Sequence, residues 1–296
     1  VPKQLTLRQV LSRGAQVFDP LGLVTPWKTG IKILTRESLN SVNREWDEPL
    51  SKDLRERWVK KFWDMQLLKE IGFKRCTLPL DRPTKNPSLI CFCDAGKHAK
   101  VQVVYLLNEI GKGKWHSQII YSKSQLVQPN KTLPNMELDS LNTGAELLNK
   151  CCNSLPDITR ICLVGDSLIT SYWVAKDTIS LATYQRNRVS NIRRLVKMEN
   201  IFHCKGEENV SDIGTKIEEP LEAVLPGSPF NTGPKWLELG IGGAVTNGYL
   251  APIQNITISP SNNEMWSKAS DGLVGKCTWP DELLMLNNES PETYPI

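Results

Sequence analysis

The sequence is poor in histidine, with three in 296 residues, and its eight cysteines form no Cys-x-x-Cys pair and no Cys/His zinc spacing. Zinc fingers and thioredoxin-type redox motifs are thereby set aside. Cys91 and Cys93 stand one residue apart and Cys151-Cys152 are adjacent; free buried thiols in a reducing compartment fit them best. No signal peptide is recognisable and no apolar run is long enough to span a bilayer, so no membrane partner is expected. The sequons at Asn130, Asn209, Asn255 and Asn288 are accordingly expected to be silent. Charge of one sign is also scarce: a formal net charge of +4 does not by itself mark a nucleic-acid partner. Hydrophobic content of 40% supports a real core, in two modest domains or one with appendages.

What is present is a pair of apolar strands that each end in an acid. Leu89-Ile90-Cys91-Phe92-Cys93 runs without alternation into Asp94, and Ile161-Cys162-Leu163-Val164-Gly165 runs into Asp166, with Ser167 placed to cap a following helix. If the two strands pair in parallel, about 4.8 Å apart, both aspartates reach one carboxyl edge, where open α/β sheets place their sites. Between them Leu133 to Cys151 reads as a helix opened by Pro134. Glu137, Leu141, Gly144, Ala145 and Leu148 share one face of it, so Glu137 faces the sheet, where an ionised carboxylate is costly unless paired. Gly144 lets that helix come close. Taken singly, a strand-end aspartate is a turn residue or helix cap, and a helix glutamate is a solvated side chain. Taken together, the three acids point to a metal site, since crowded carboxylates call for a cation. An acidic metal site within a mildly basic protein suits phosphodiester cleavage.

Taken in order, residues 1–81 read as a helical module. A helix stops at Asp19-Pro20-Leu21-Gly22, a second begins after Pro26, and a third carries Trp58, Phe62, Trp63, Met65 and Leu67-Leu68. Its aromatic stripe reads as core rather than a base-stacking surface. Residues 82–87 read as a linker. Residues 88–220 hold the acids, with strands at 101–107 and 115–122 joined through Gly111-Lys112-Gly113-Lys114. A helix over 184–198 bears Arg186, Arg188, Arg193, Arg194 and Lys197, a single-sign run offered for phosphate contact. A strand over 201–204 precedes Asn209-Val210-Ser211-Asp212, and Asp212 is the fourth candidate acid. Residues 221–296 read as an extended, partly ordered connector.

This order, strand-Asp, two strands, helix-Glu, strand-Asp, basic helices, strand and Asn-x-x-Asp, resembles a ribonuclease H domain. More narrowly, the chain resembles the polyprotein of BEL/Pao-type retrotransposons. The resemblance rests on Val17-Phe18-Asp19-Pro20-Leu21-Gly22, Ser122-Lys123-Ser124 with Pro134-Asn135-Met136-Glu137-Leu138, Asn187-Arg188-Val189 and Gly233-Pro234-Lys235-Trp236-Leu237. It implies an α/β fold with a mixed five-stranded sheet flanked by helices, preceded by a thumb- or connection-like helical module. It also implies two Mg²⁺ or Mn²⁺ ions held by Asp94, Glu137, Asp166 and Asp212. Asp94 would bridge both ions, with Glu137 and Asp166 on one and Asp212 on the other. The implied activity is hydrolysis of the RNA strand of RNA–DNA hybrids, in a cytoplasmic retrotransposon particle, between an upstream reverse transcriptase core and a downstream integrase region. Ser122, Ser124 and Asn135 are candidate donors to 2′-hydroxyls across the hybrid's shallow groove.

Several positions depart from the family's pattern. Val101 replaces a glycine, Lys100 an aromatic residue and Asn135 a basic one; Thr215-Lys216-Ile217 replaces Ser-Arg-Gly, and residues 205–210 contain no histidine. These departures bear on substrate fit and turnover, and a decayed copy that binds nucleic acid or a protein without cutting is the alternative they raise. A phosphohydrolase with an aspartate nucleophile is a further class, but it wants an acid where Gly96 stands. No Tyr-x-Asp-Asp polymerase motif occurs, so DNA synthesis is not assigned to these residues, and an excerpt of a longer polyprotein is expected.

Overall fold

A computed structural model describes residues 4–42, 45–73, 85–128, 130–176, 178–216 and 221–256. The chain opens with α1 (Leu7–Gly14), whose N-terminus is closed by a reciprocal capping box between Thr6 and Gln9. The expected continuation of this helix to Phe18 is not realised. Residues 15–24 instead form a turn in which both Asp19 oxygens accept from backbone, Leu23 N at 2.8 Å and Val24 N at 3.2 Å, fixing the entry to α2 (Thr25–Ser41). Helix α3 (Lys52–Leu68) follows, capped by Ser51. Trp27, Ile31, Leu34, Trp58, Phe62 and Met65 make one core for the three helices. The Trp58 indole N–H donates to Ser38 Oγ at 2.8 Å, which satisfies its polar end inside that core. The aromatic stripe is therefore divided: Trp58 and Phe62 are buried, whereas Trp63 and Leu67 face outward.

The sheet is built from β1 (Lys85–Ala95), β2 (Ala99–Gly111), β3 (Lys114–Leu126), β4 (Arg160–Gly165), β5 (Ile201–His203) and β6 (Ala251–Pro252), in spatial order β3-β2-β1-β4-β5-β6. Strands β1, β2 and β3 are antiparallel neighbours, β4 runs parallel to β1 and β5 parallel to β4, and β6 closes the far edge antiparallel. The Lys112-Gly113 turn makes the expected hairpin, with Gly113 at φ 71°. Residues 85–87, read as linker, already belong to β1. The expected five strands are six, because β6 adds two residues from a region that the sequence reading left outside the domain.

Helices α4 (Leu133–Ser154), α5 (Leu168–Ala175) and α6 (Thr183–Leu195) cover one face of the sheet. Cys91, Cys93, Val104 and Leu106 meet Leu138, Leu141, Ala145 and Leu148 there. Ile90, Phe92, Val103 and Tyr105 point to the other face, towards α7 (Asp212–Thr215), α8 (Pro229–Thr232) and α9 (Gly240–Thr246). Residues 221–256 are thus not an extended connector. Phe230, Trp236, Leu237, Ile241, Ala244 and Leu250 are buried against the sheet, and the Tyr105 hydroxyl donates to the Phe230 carbonyl at 2.7 Å. Residues 257–296 lie outside the described residues.

The approach of α4 to β1 depends on Gly144, where a Cβ would overlap the Cys93 sulfur. Gly144→Ala is expected to lower unfolding free energy by about 1–3 kcal/mol through overpacking. Adding Cys93→Ala is expected to recover part of that loss in denaturant titrations.

Candidate active site

Register places the first two acids. Cys93 pairs with Gly165 across the parallel β1/β4 ladder, so Asp94 and Asp166, one residue further on, leave the same sheet edge side by side. Glu137 lies near the start of α4, above that edge, and its carboxylate is bonded by Ser167, which also accepts from Thr170 N at 3.3 Å to cap α5. Asp212 opens α7, which packs against β1 and β2. All four acids keep part of their surface open.

The electrostatics join them into one cluster. Burial pushes Asp166 up to about 8, with Asp94's charge adding to the effect and a hydrogen bond from Asn209 opposing it. Burial likewise pushes Asp94 up to about 6, against a hydrogen bond from Thr215, while Asp212 pushes the same way as burial. Glu137 is held well above the carboxylate range by burial first, opposed by Ser167, and then by the charges of Asp166 and Asp94. The acids therefore oppose one another's ionisation.

The donors that hold these groups were not singled out as site residues in the sequence. Thr215 Oγ1 donates to Asp94 Oδ2 at 2.7 Å, and Ser140 Oγ donates to the Asp94 carbonyl at 2.7 Å. Asn209 is buried and donates to the Cys93 carbonyl at 3.0 Å while also bonding Asp166. It spans the gap between the two strands, and its place in Asn-x-x-Asp was the one signal available for it. Lys216 pairs with Asp212 at 2.8 Å.

Among the described residues no three His, Cys, Asp or Glu side chains are gathered into a set that could ligate an ion as they stand. Each acid is turned to a protein donor instead. The donor chemistry nevertheless fits a hard divalent cation: the edge offers carboxylate oxygens, and their mutual repulsion is what such a cation would relieve.

Residues 6–167 match the family model for the Pao retrotransposon-like RNaseH-like domain, over half of the chain. The chain belongs to that family. Neither a search of curated proteins nor one of solved structures returned a match. The matched span takes in Asp94, Glu137 and Asp166 and ends before Asp212. The mixed sheet with flanking helices agrees with a ribonuclease H-like fold.

Within this Pao-type domain the departures from pattern have partners. Val101 is fully buried and its methyls lie over Gly214, where a Cβ would come within 2.7 Å of them. The valine on β2 finds its room over the bare glycine of α7. Lys100 donates to Asp139 Oδ2 at 2.6 Å and Thr143 Oγ1 at 3.0 Å, while Arg188 Nε reaches the other Asp139 oxygen at 2.8 Å. Asp139, two residues after Glu137, thus ties α4 to β2 and α6, and the two cations pull its carboxyl below the usual range against the opposing effect of burial.

The residues expected to contact nucleic acid are differently employed. Ser122 Oγ donates to the Gly22 carbonyl at 2.5 Å, Ser124 Oγ accepts from Lys32 Nζ at 2.9 Å, and both serines are buried beneath the helical module. They are not free donors to a 2′-hydroxyl. Asn135 accepts from Gln185 Nε2 at 2.8 Å. Arg188, besides Asp139, stacks on the Tyr184 ring at 3.4 Å, and Arg193 donates to the carbonyls of Val174 and Lys176. Arg186 bonds the carbonyls of Thr178, Ile179 and Leu181. Arg194, in the last turn of α6, bonds Asn191 and is exposed, as is Lys197 two residues beyond the helix. Of the basic run, then, Arg188 and Arg193 act as structural ties rather than a phosphate-facing row.

Two outcomes are expected. A carboxyl raised in the folded state above its unfolded value of about 3.9 stabilises fully below that value and loses the contribution as pH rises through the folded pKa. In chelator, the thermal midpoint should therefore fall between pH 4 and 8, and Asp166→Asn should flatten the fall and exceed the parent at pH 8 by a few degrees. Gly214→Ala should destabilise on its own, and Val101→Ala in the same chain should relieve it, seen as a coupling of about 0.5–3 kcal/mol in a double-mutant cycle.

Proposed function

We propose that this Pao-type domain is a two-metal endoribonuclease hydrolysing the RNA strand of RNA–DNA hybrids during retrotransposon reverse transcription. The observation that carries the reading is the cluster itself. Asp94, Glu137, Asp166 and Asp212 come from four separate elements to one open edge, and each of the first three is raised by charge from another acid. Membership of a ribonuclease H-like family supports the reaction class.

Asp94 interacts by charge with each of the other three; Asp94, Glu137 and Asp166 would hold one ion, and Asp94 and Asp212 the other. Bound Mg²⁺ or Mn²⁺ would supply activation of a water on one side of the phosphodiester and stabilisation of the leaving oxygen on the other. The protein's share is orientation. Thr215 and Ser140 hold the Asp94 carboxylate and backbone, Asn209 holds Asp166 to β1, and the Asp139 hub keeps the Glu137 helix seated. Val101 and Lys100 are accommodated by Gly214 and Asp139. The proposed setting is a polyprotein with a polymerase core upstream and an integrase region downstream, in a cytoplasmic particle.

The test is cleavage of a labelled RNA–DNA hybrid with Mg²⁺ and with Mn²⁺, beside a single-stranded RNA control. Metal-dependent cutting of the hybrid alone is expected. Asp94→Asn should keep the fold by circular dichroism and lose more than about a hundredfold in rate, about 2.7 kcal/mol in the barrier. A variant as active as the parent would remove Asp94 from the site.

A further inference from the structure

With α6 engaged in structural contacts, positive charge near the acids must be sought elsewhere. It lies on α2. Lys28, Lys32 and Arg36 recur every fourth residue, which sets them on one helix face across about 12 Å. All three are half-buried, and their hydrogen-bond partners are mostly neutral backbone carbonyls. Lys28 Nζ reaches Val17 O at 3.4 Å, Lys32 Nζ reaches Ser124 O at 2.6 Å, and Arg36 reaches Val127 O at 2.9 Å and His98 O at 3.4 Å. Of the nearby carboxylates, Glu37 is paired with Arg57 at 2.6 Å, and Asp19, bonded to the backbone of Leu23 and Val24, is the one whose charge acts on Lys32.

The stripe leads to the site. Arg36 touches His98 in the β1–β2 turn, where exposed Lys97 follows Asp94 by three residues, and α2 packs against α7, which carries Asp212. Its cations crowd one another as well. Lys32 is held below its usual range by burial, then by Lys28 and Lys123, and His98 by burial, then by Arg36 and Lys97. Duplex nucleic acid carries one charge per roughly 1.7 Å, so 12 Å of stripe lies alongside about seven backbone charges.

We propose that the α2 face bearing Lys28, Lys32 and Arg36, continued by Lys97, is the track along which the duplex backbone lies as a strand enters the acidic edge. The helical module is then part of the substrate-binding surface and not only a support. This rests on the nuclease reading above and adds to it which surface holds the duplex. Contact of this kind is with phosphate, so it is independent of sequence and steeply salt-dependent.

The experiment measures binding of a fluorescein-labelled RNA–DNA hybrid to the full chain in chelator, by anisotropy between 50 and 200 mM KCl. Lys28→Gln/Lys32→Gln/Lys97→Gln is expected to flatten the slope of log affinity against log salt by about 2 to 3, at about 0.9 per lost contact. Lys28→Gln/Lys97→Gln, which leaves the α2–β3 bonds of Lys32 in place, should flatten it by about 1 to 2 and serves if the triple variant does not fold. Lys52→Gln/Lys60→Gln on α3 removes the same two charges as the double variant and should leave the slope unchanged. A parent that binds the hybrid while the patch variants keep its slope would overturn the track and leave the nuclease reading standing. Loss of slope in the α3 control equal to that in the patch variants would overturn it too, as a bulk charge effect. A parent that binds no hybrid at all would overturn both.

Discussion

The arrangement depends on the parallel pairing of β1 with β4. Setting Cys93 opposite Gly165 brings Asp94 and Asp166 out of the sheet together, and a slip of one residue would send one of the two side chains to the other face. Two half-buried, adjacent carboxylates are unfavourable in isolation. The rest of the edge is organised around that cost: Asn209 bridges the strands, Thr215 and Ser140 hold Asp94, and Ser167 meets Glu137. The stability of the sheet makes the strained edge tolerable, since twenty or so apolar side chains on each face resist its rearrangement.

Much of this was legible in the residues. An unbroken apolar run ending in aspartate signals a strand buried on both faces, and β1 and β4 are such strands. The inward face of α4 followed from helical spacing, and the role of Gly144 from its lack of a side chain. The failures share a cause: they turn on contacts distant in sequence. Residues 221–256 are too sparsely apolar to announce a core, yet Trp236 and Leu237 need only the far face of a sheet already formed. The basic run on α6 reads as a charged face, but Arg188 is paired with Asp139 and Arg193 is tied down by carbonyls at the end of α5. Ser122 and Ser124 look like free hydroxyls until the turn at Gly22 and α2 are laid across them.

The departures from the family pattern show the same dependence. Val101 alone reads as an intrusion beside the site, but its methyls are accommodated over Gly214 of α7. Lys100 alone reads as a misplaced charge, and with Asp139 and Arg188 it becomes one arm of a half-buried ion cluster that steadies the glutamate helix. A single replaced residue is a weak sign of decay when its neighbours in the fold accommodate it.

The turn at Asp19 to Gly22 has one more consequence. Strand β3 is the end of the sheet, and such strands carry unpaired backbone groups that recruit other chains. Here the Ser122 N–H donates to the Leu21 carbonyl at 2.8 Å, and Gly22 at φ 75° packs so tightly on Ser122 that no side chain fits between them. The opposite end is blunted by β6, two residues long with Pro252 in it. The helical module is thus a guard on an aggregation-prone margin, and a fragment trimmed to begin at β1 would bare that margin and lose solubility before it lost its fold.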